Sequence, residues 1–154
     1  MTAEIVSRPY TSADRAACLA LFDGNTPRFF APKERAEFAD FLSGAPSADA
    51  PYLVLVRDDV LIACGGLNRE PDTRHVTLTW GMVDRTLQGQ GLGTSLTKAR
   101  LAAARAMSDV DELRLETSQH TRGFYERFGF EVTKVTPDGF GAGLDRYDMV
   151  CKLT

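Results

Sequence analysis

The sequence predicts a mixed α/β (α+β) domain with a mostly antiparallel central sheet of about seven strands. Three observations carry this prediction. Several short runs alternate apolar and polar residues, which is typical of half-buried strands. Other runs repeat apolar residues every three or four positions, which indicates amphipathic helices. A glycine-rich turn past the middle of the chain joins one strand-like run to one helix-like run.

The composition of the chain is that of an ordinary globular protein. Its 154 residues are 44% hydrophobic and 25% charged, which suits a single domain over residues 1–154. A formal net charge of -3 gives no basic surface, so nucleic acid is not expected as a partner. No apolar run approaches the ~18 residues of a membrane span, and the first residues lack the pattern of a secretory signal. We therefore expect a cytoplasmic protein without a membrane partner.

The cysteines and histidines give no metal signal. Cys18, Cys64 and Cys151 lie far apart in apolar contexts, which favours reduced and buried thiols. His75 and His120 have no Cys or His close by in sequence. No metal cofactor is expected.

The N-terminal third predicts one strand and two helices. Residues 4–8 form a strand candidate that Pro9 closes. A helix then begins near Thr11, a hydroxyl N-cap, and ends at residues 24–25. Residues 32–42 predict a second amphipathic helix, with proline in its first turn.

The middle of the chain predicts three strands, the main helix and a fourth strand. Residues 52–57 and 60–67 form an antiparallel hairpin, and residues 75–83 alternate with period 2. A helix over residues 92–107 places five apolar side chains on one stripe, namely Leu92, Leu96, Ala99, Ala103 and Ala106. A strand over residues 112–117 follows, so the crossover from the preceding strand should be parallel and right-handed.

The C-terminal part predicts a short helix and two last strands. The helix covers residues 120–128, with Gly129 just past its end. The strands cover residues 130–136 and 147–153, and the glycine-rich residues 137–144 between them predict a flexible loop. The inferred element order is β-α-α-β-β-β-α-β-α-β-β.

The turn over residues 83–94 is the strongest functional signal. Gly89, Gly91 and Gly93 stand where the main helix begins. A helix start carries unpaired N–H groups and a positive dipole end, and glycines let an anion approach them. The turn is therefore a candidate phosphate cradle, and a glycine-rich turn without a ligand is the alternative.

Two general phosphate-binding patterns do not fit this turn. A P-loop has a lysine after its last glycine, whereas Thr94 follows Gly93 directly. The dinucleotide fingerprint Gly-x-Gly-x-x-Gly follows the first strand of a βαβ unit, whereas here the third glycine comes one residue early and past mid-chain. A nucleotide-binding regulator is therefore disfavoured.

The segment Gln88-Gly89-Gln90-Gly91-Leu92-Gly93 resembles the Gln/Arg-x-x-Gly-x-Gly/Ala signature of the GNAT acetyltransferase superfamily. Downstream, residues 123–130 are similar to the family's helix that ends in Tyr-x-x-x-Gly-Phe, with Tyr125 and Gly129 in register. Together the two motifs span residues 76–132. The element order inferred above is also the order that the resemblance implies.

The resemblance implies that acetyl-coenzyme A is the cosubstrate. The family's loop holds the pyrophosphate, which here assigns that role to Gln88, Gly89, Gln90, Gly91, Leu92, Gly93 and Thr94. Pantetheine is expected in a splay between the parallel strands over residues 75–83 and 112–117, where it bonds the backbone of Met82 and Val83. Many relatives carry asparagine near the end of the second of these strands, where this chain has the shorter Ser118.

The resemblance also implies that Tyr125 is the general acid. A phenol is a weaker acid than a thiol, so it stays protonated at neutral pH and can donate a proton as a thiolate leaves. The general base is left open. Glu116 is one candidate because it alternates with Leu115 and Thr117, and His120 is another. A relay of waters, or capture of the neutral fraction of the amine, would serve equally well.

These expectations describe an N-acetyltransferase that moves the acetyl group of acetyl-CoA to the primary amine of a small molecule by direct attack. A protein N-terminus or lysine as the acceptor is the first alternative, and a non-catalytic acyl-CoA-binding module is the second. The acceptor should contact residues 25–30 and 137–144. A homodimer is one possible assembly.

Overall fold

A computed structural model describes residues 4–26, 30–44, 46–47, 49–87 and 89–153. The strands are β1 (Val6–Pro9), β2 (Tyr52–Arg57), β3 (Val60–Arg69), β4 (His75–Val83), β5 (Glu112–Thr117), β6 (Glu131–Gly141) and β7 (Leu144–Lys152). The helices are α1 (Arg15–Gly24), α2 (Arg35–Gly44), α3 (Leu92–Ala106) and α4 (Arg122–Glu126). Short 3-10 turns cover Ser12–Asp14, Pro32–Glu34 and Arg85–Leu87. This element order confirms the predicted one.

The strands form a seven-stranded sheet in the order β1-β2-β3-β4-β5-β7-β6. The ladders β1–β2, β2–β3, β5–β7 and β6–β7 are antiparallel, and β4 pairs with β5 in parallel. A strand, a long helix and a strand in succession produce this parallel pair, as the sequence predicts. The fold class is therefore confirmed as mixed α/β with a mostly antiparallel sheet.

The parallel ladder is short. It pairs His75 with Glu112, Val76 with Leu113 and Thr77 with Arg114. Both strands continue beyond these pairs, β4 to Val83 and β5 to Thr117, but their registered pairing does not. Leu78 and Leu115, the next residues along, are therefore outside the ladder.

The chain divides into two compact units, which are described separately. The first unit comprises Met1–Asn68 and Thr79–Ala103, and the second comprises Arg69–Leu78 and Ala104–Thr154. A single domain over residues 1–154 stays a prediction. Among the described residues, no helix is both long and apolar enough to cross a membrane.

The first unit has two groups of core residues. One group is aromatic and lies around α1 and α2, with Phe22, Phe38 and Tyr52 fully buried. In the other group, Leu92 and Leu96 of α3 pack on side chains of β2 and β3. Burying these apolar side chains is the main favourable term that holds the unit together.

The buried face of α3 differs from the predicted stripe. Leu92 and Leu96 are buried as expected, but Ala99 and Ala103 are only half-buried and Ala106 is exposed. The buried positions are instead Thr97, Arg100, Leu101 and Ala104. The buried face of α3 therefore follows the i, i+4 row of residues 92, 96 and 100. Arg100 can belong to this row because its guanidinium lies against Gly65 and Gly81, which have no side chains.

In the second unit, the prediction of a flexible loop over residues 137–144 is wrong. Both β6 and β7 continue through this segment as a hairpin. Asp138 takes a left-handed backbone with a φ of 54°, and its carboxylate accepts a hydrogen bond from the Gly143 N–H at 2.7 Å. Pro137 is tolerated because β6 lies at the edge of the sheet, where no partner strand needs its N–H.

The helix predicted over residues 120–128 is shorter than expected. Only Arg122–Glu126 is helical. A turn precedes it, because the Ser118 carbonyl accepts hydrogen bonds from the N–H groups of Thr121 and Arg122. Gly129 ends the segment with a φ of 94°, in the left-handed region expected of a residue past a helix C-terminus.

Candidate active site

The glycine turn links the end of β4 to the start of α3. The turn begins at Asp84, whose N–H donates a hydrogen bond to the Ile62 carbonyl of β3 at 2.8 Å. The Asp84 carboxylate then accepts the N–H and the hydroxyl of Thr86, at 2.9 and 2.7 Å. These bonds stabilise the 3-10 turn Arg85–Leu87 and direct the chain toward α3.

Gly89 and Gly91 have backbone conformations that other residues rarely adopt. Their φ angles are 83° and 76°. Both residues are exposed, and a Cβ at either position would meet no atom within 4 Å. The glycines are therefore required by the backbone, and the space above them is open to a ligand.

The start of α3 fits a bound phosphate. Leu92 is buried and anchors the first turn, whereas Gln90 on its N-terminal side is exposed. Gly93 and Thr94 are half-buried in that same turn, and α3 is 15 residues long, which gives a full dipole. Gln88, also assigned to the cradle, lies outside the described residues.

The end of β4 can offer a ligand mainly its backbone. The Met82 side chain is buried in the aromatic core group, and the Val83 carbonyl already accepts a hydrogen bond from the Asn25 amide at 3.0 Å. Two residues before Met82, Trp80 has a φ of 43°, so the backbone of β4 departs from a regular strand there. Nothing in the sequence predicted the hydrogen bond between Asn25 and Val83.

Asn25 and Phe30, two described residues of the segment 25–30, both make contacts within the first unit. Asn25 is buried, with its amide also donating to the Leu21 carbonyl at 2.8 Å. The Phe30 ring stacks on Phe22 with 4.8 Å between centroids. Residues 27–29 lie outside the described part of the chain.

Tyr125 of the second unit is held by its ring. It lies edge-on to Phe124 and Phe130, with centroid distances of 5.1 and 5.7 Å. The side chain is half-buried, and its hydroxyl makes no hydrogen bond to another described residue. The ring is thus positioned while the hydroxyl keeps its hydrogen-bonding capacity for a ligand.

Glu116 and Ser118 have protein partners of their own. The Glu116 carboxylate is exposed on β5 and accepts a hydrogen bond from Arg146 at 2.7 Å. The Ser118 hydroxyl accepts the His120 N–H at 3.2 Å, so it stabilises the turn before α4. His120 itself is exposed.

A groove of about 760 Å3 in the second unit was not predicted from the sequence. Its polar lining includes Glu70, His75, Thr77, Glu116, Arg146 and Asp148. Arg146 is hydrogen-bonded to Asp148 at 2.9 Å and to Glu116. The pKa of Arg146 is raised above its ordinary value, and the hydrogen bond with Asp148 is the main cause. The signal in the sequence was the alternation of charged residues along β5 and β7, but only the pairing of these strands brings their side chains together.

The thiols of this chain are poor nucleophile candidates. Cys18, Cys64 and Cys151 are all free and buried, as the sequence predicts. A hydrogen bond with Cys64 and burial raise the pKa of the Cys18 thiol, and burial raises the pKa of Cys151. Burial also opposes ionisation of Cys64, but hydrogen bonds with Cys18 and Tyr52 lower the pKa of its thiol, and Cys64 is fully buried. No exposed thiol is found within the described ranges. In the same ranges, no group of three or more His, Cys, Asp or Glu is arranged to hold a metal.

The predicted site residues fall into two groups. The residues assigned to the cofactor, from Met82 to Thr94, lie in the first unit. Ser118 and the two residues assigned to catalysis, Tyr125 and Glu116, lie in the second.

Comparisons with known proteins agree with this architecture. A family model described as Acetyltransferase (GNAT) family matches residues 17–130. The comparison with curated proteins gives no match. Among solved structures, a proposed GNAT acetyltransferase from Desulfovibrio desulfuricans has a TM-score of 0.85 at 22% identity, covering 98% of this chain and 100% of its own.

Two further solved structures show the same fold. One is yncA, a proposed acetyltransferase from Salmonella typhimurium solved with its cofactor acetyl-CoA, with a TM-score of 0.81 at 19% identity. The other is the ribosomal-protein-S18-alanine N-acetyltransferase from Escherichia coli, with a TM-score of 0.80 at 17% identity. Each alignment covers 98% of this chain and 95% of the other.

Proposed function

Because this chain belongs to the GNAT family and is an acetyl-CoA-dependent acyltransferase, we propose that it acetylates the primary amine of a small cationic molecule. The observation that supports the acceptor class is the groove of about 760 Å3 in the second unit. This volume lies within the range of roughly 300–1,000 Å3 that small-molecule sites occupy. Three carboxylates, those of Glu70, Glu116 and Asp148, line the groove together with the guanidinium groups of Arg114 and Arg146. Arg146 pairs with Glu116 and Asp148, and the lining keeps one carboxylate in excess, which suits an ammonium group.

The residues of the first unit would hold the cosubstrate. Acetyl-CoA supplies an acetyl group activated as a thioester. The exposed backbone at Gly89 and Gly91, together with the first turn of α3, suits its pyrophosphate. The backbone at Met82 and Val83 is assigned to pantetheine and to the thioester carbonyl, where an N–H donor would stabilise the developing oxyanion.

The transfer needs one bond to form, one to break and two proton movements. The neutral amine nitrogen attacks the thioester carbonyl carbon, the new C–N bond forms and the C–S bond breaks. The nitrogen loses a proton to water, Tyr125 gives its hydroxyl proton to the departing sulfur, and water returns a proton to the Tyr125 phenolate. The products are an amide and the CoA thiol. The free hydroxyl of Tyr125 supports this role, since nothing in the described part of the chain competes for it.

We assign Glu116 to binding the amine. One oxygen of its carboxylate accepts a hydrogen bond from the Arg146 guanidinium at 2.7 Å, and the other oxygen can accept one from an ammonium group. We assign the removal of the amine proton to water, with Glu116 holding the acceptor.

The acceptor class is tested by measuring release of CoA with a thiol reagent against a panel of amines. The panel contains polyamines, aminoglycosides, amino acids and peptides with a free N-terminus. Other solved structures with this fold include an aminoglycoside 6'-N-acetyltransferase and a spermidine N-acetyltransferase chimera, but the S18-alanine enzyme acts on a protein. We expect turnover with small polycations, and turnover with peptides alone would contradict the proposal.

The groove is tested with a matched pair of variants. Glu70→Gln removes one lining carboxylate and should raise the KM of a polycationic acceptor by roughly 10-fold, with kcat little changed. Glu126→Gln removes a carboxylate outside the groove, on α4, where it pairs with Arg122. Equal KM values in the two variants would show that the groove does not bind the acceptor.

A further inference from the structure

Trp80 has a backbone conformation that is costly for its side chain. Its φ of 43° is in the left-handed region, which bulky residues rarely enter. Strain of this kind persists only where the surrounding structure holds it, and it is often found at functional sites. Trp80 lies two residues before Met82, whose backbone is assigned to the thioester.

The hydroxyl of Tyr52 fixes the bent peptide. It donates to the Trp80 carbonyl at 2.8 Å across 28 residues of sequence. Tyr52 is 0% exposed, and burial chiefly raises the pKa of its hydroxyl, so the donor stays protonated. Edge-on contacts with Phe38 and Phe41 at 6.4 and 5.2 Å hold the ring.

Arg100 of α3 occupies the space beside the next residue. A Cβ at Gly81 would collide with the Arg100 guanidinium, and one at Gly65 would lie 2.9 Å from it. Arg100 is only 5% exposed and donates to the Gly66 carbonyl at 3.4 Å. The glycines thus let a buried cation lie directly against the backbone of β3 and β4.

Asn25 fixes the end of the segment. Its amide donates both to the Val83 carbonyl and to the Leu21 carbonyl, so it joins the end of β4 to the end of α1. Asn25 is 4% exposed. A buried amide that donates two hydrogen bonds is costly to disturb, because either carbonyl would lose its partner.

We propose that Tyr52, Asn25 and Arg100 are positioning residues for acetyl transfer. These three side chains, here called the β4 clamp, hold residues 80–83 in a bent conformation that aims a backbone N–H at the thioester carbonyl. This inference rests on the proposed function. None of the three needs to touch the substrate, and each acts through the backbone that it holds. Loss of one member lets the segment relax toward a regular strand and misdirects the donor.

The test uses two tyrosine variants that differ in one hydrogen bond. Tyr52→Phe removes the donor to Trp80 and keeps the packed ring. Tyr10→Phe is the matched control, because Tyr10 is also buried and its hydroxyl has no partner among the described residues. Tyr10 lies edge-on to Tyr52, with 5.8 Å between centroids. A general effect of removing a buried hydroxyl would therefore appear in both variants.

The readout is the 13C resonance of acetyl-CoA labelled at its thioester carbonyl. A hydrogen bond to that carbonyl moves the resonance away from its position in free acetyl-CoA. We expect the wild type and Tyr10→Phe to show this displacement and Tyr52→Phe to lose most of it. The Kd of CoA itself, measured by calorimetry, should change by less than about 3-fold in Tyr52→Phe. With an acceptor in hand, kcat should fall roughly 10–100-fold while the KM of acetyl-CoA changes little.

The outcomes separate this inference from the proposed function. A wild type that binds neither CoA nor acetyl-CoA overturns the proposed function and the inference with it. A wild type that acetylates an amine, with the same carbonyl displacement in Tyr52→Phe, overturns the inference alone. If Tyr52→Phe does not fold, Asn25→Leu takes its place, since it is close to Asn25 in size and shape but cannot donate to Val83. A folded Asn25→Leu with an unchanged displacement would likewise overturn the clamp.

Discussion

Two regions of this protein offer a ligand different kinds of groups. Residues 80–94 in the first unit present backbone, because Met82 and Leu92 bury their side chains and Gly89 and Gly91 have none. The groove of the second unit presents charged side chains that are exposed or half-buried. The first region suits a ligand that is always the same, and the second suits an acceptor that varies between enzymes of one fold.

The difference also decides where substitutions act. A backbone donor has no side chain of its own to replace, so its position depends on distant buried groups such as Tyr52 and Asn25. A side-chain donor such as Tyr125 can be removed with little effect on the fold, because its ring contacts survive in phenylalanine. Substitutions that affect the first region should therefore act by moving its backbone donors. A substitution of a side-chain donor such as Tyr125 should act by removing the reacting group itself.

The largest effect is expected from Gly91→Asp. This variant puts a Cβ on a backbone with a φ of 76° and a carboxylate where an anion should approach. CoA binding measured by calorimetry should be lost almost completely, with circular dichroism unchanged.

The control for this variant is Gly44→Asp at the end of α2. It adds the same charge at another exposed glycine with open space around it, and it should bind CoA as the wild type does. Unchanged CoA affinity in Gly91→Asp would show that the glycine turn is not the cradle.

A smaller effect is expected from Tyr125→Phe, which tests the side-chain donor proposed on α4 of the second unit. General-acid contributions are roughly 10²–10⁴ in rate, so single-turnover acetylation should slow by about that factor. Thermal stability and CoA affinity should hardly change, since only the free hydroxyl is removed. The measurement must resolve the chemical step, because slow product release would hide a defect in it. Acetylation at the wild-type rate in that step would transfer the acid role to water or to another side chain.

The strands of this fold could be predicted closely because their signals are local. The predicted bounds 52–57, 75–83 and 112–117 are those of β2, β4 and β5. Each run has alternating or continuous apolar residues and ends at charged or turn-forming residues. Local signals also located the glycine turn, because its positive φ angles require glycine.

The features that the sequence did not show depend on distant parts of the chain. Arginine is rarely buried. The residues next to Arg100 in the sequence do not indicate that it packs against the glycines of β3 and β4. The Asn25 amide reaches Val83 across 58 residues. The hairpin over residues 137–144 has a loop-like composition, yet bonds such as that from the Asp138 N–H to the Asp145 carboxylate at 2.9 Å order it. Local pattern could not distinguish these cases.

The smallest effect is expected on stability, where one ion pair from each unit can be compared. In the first unit, the Asp14 side chain is 10% exposed, pairs with Arg8 at 2.8 Å and also accepts the Thr11 N–H at 2.9 Å. In the second unit, Glu112 pairs with Arg114 at 3.0 Å with both side chains more exposed, at 28% and 44%. Solvent screens the second pair more strongly, so its contribution to stability should be small.

The pKa of Asp14 is lowered in the folded protein, and the hydrogen bond from Arg8 is the main cause. A carboxylate with a lowered folded pKa stabilises the protein fully above its unfolded pKa of about 3.9, and this contribution is lost as pH falls through the folded pKa. Urea unfolding at pH 7 should therefore show that Asp14→Asn lowers the free energy of unfolding by about 0.5–2 kcal/mol, the range of a lost helix cap. Glu112→Gln should lower it by less than about 1 kcal/mol. The difference between wild type and Asp14→Asn should shrink below about pH 4. If it is instead constant down to pH 2, the charge of Asp14 contributes nothing and only its size and shape matter.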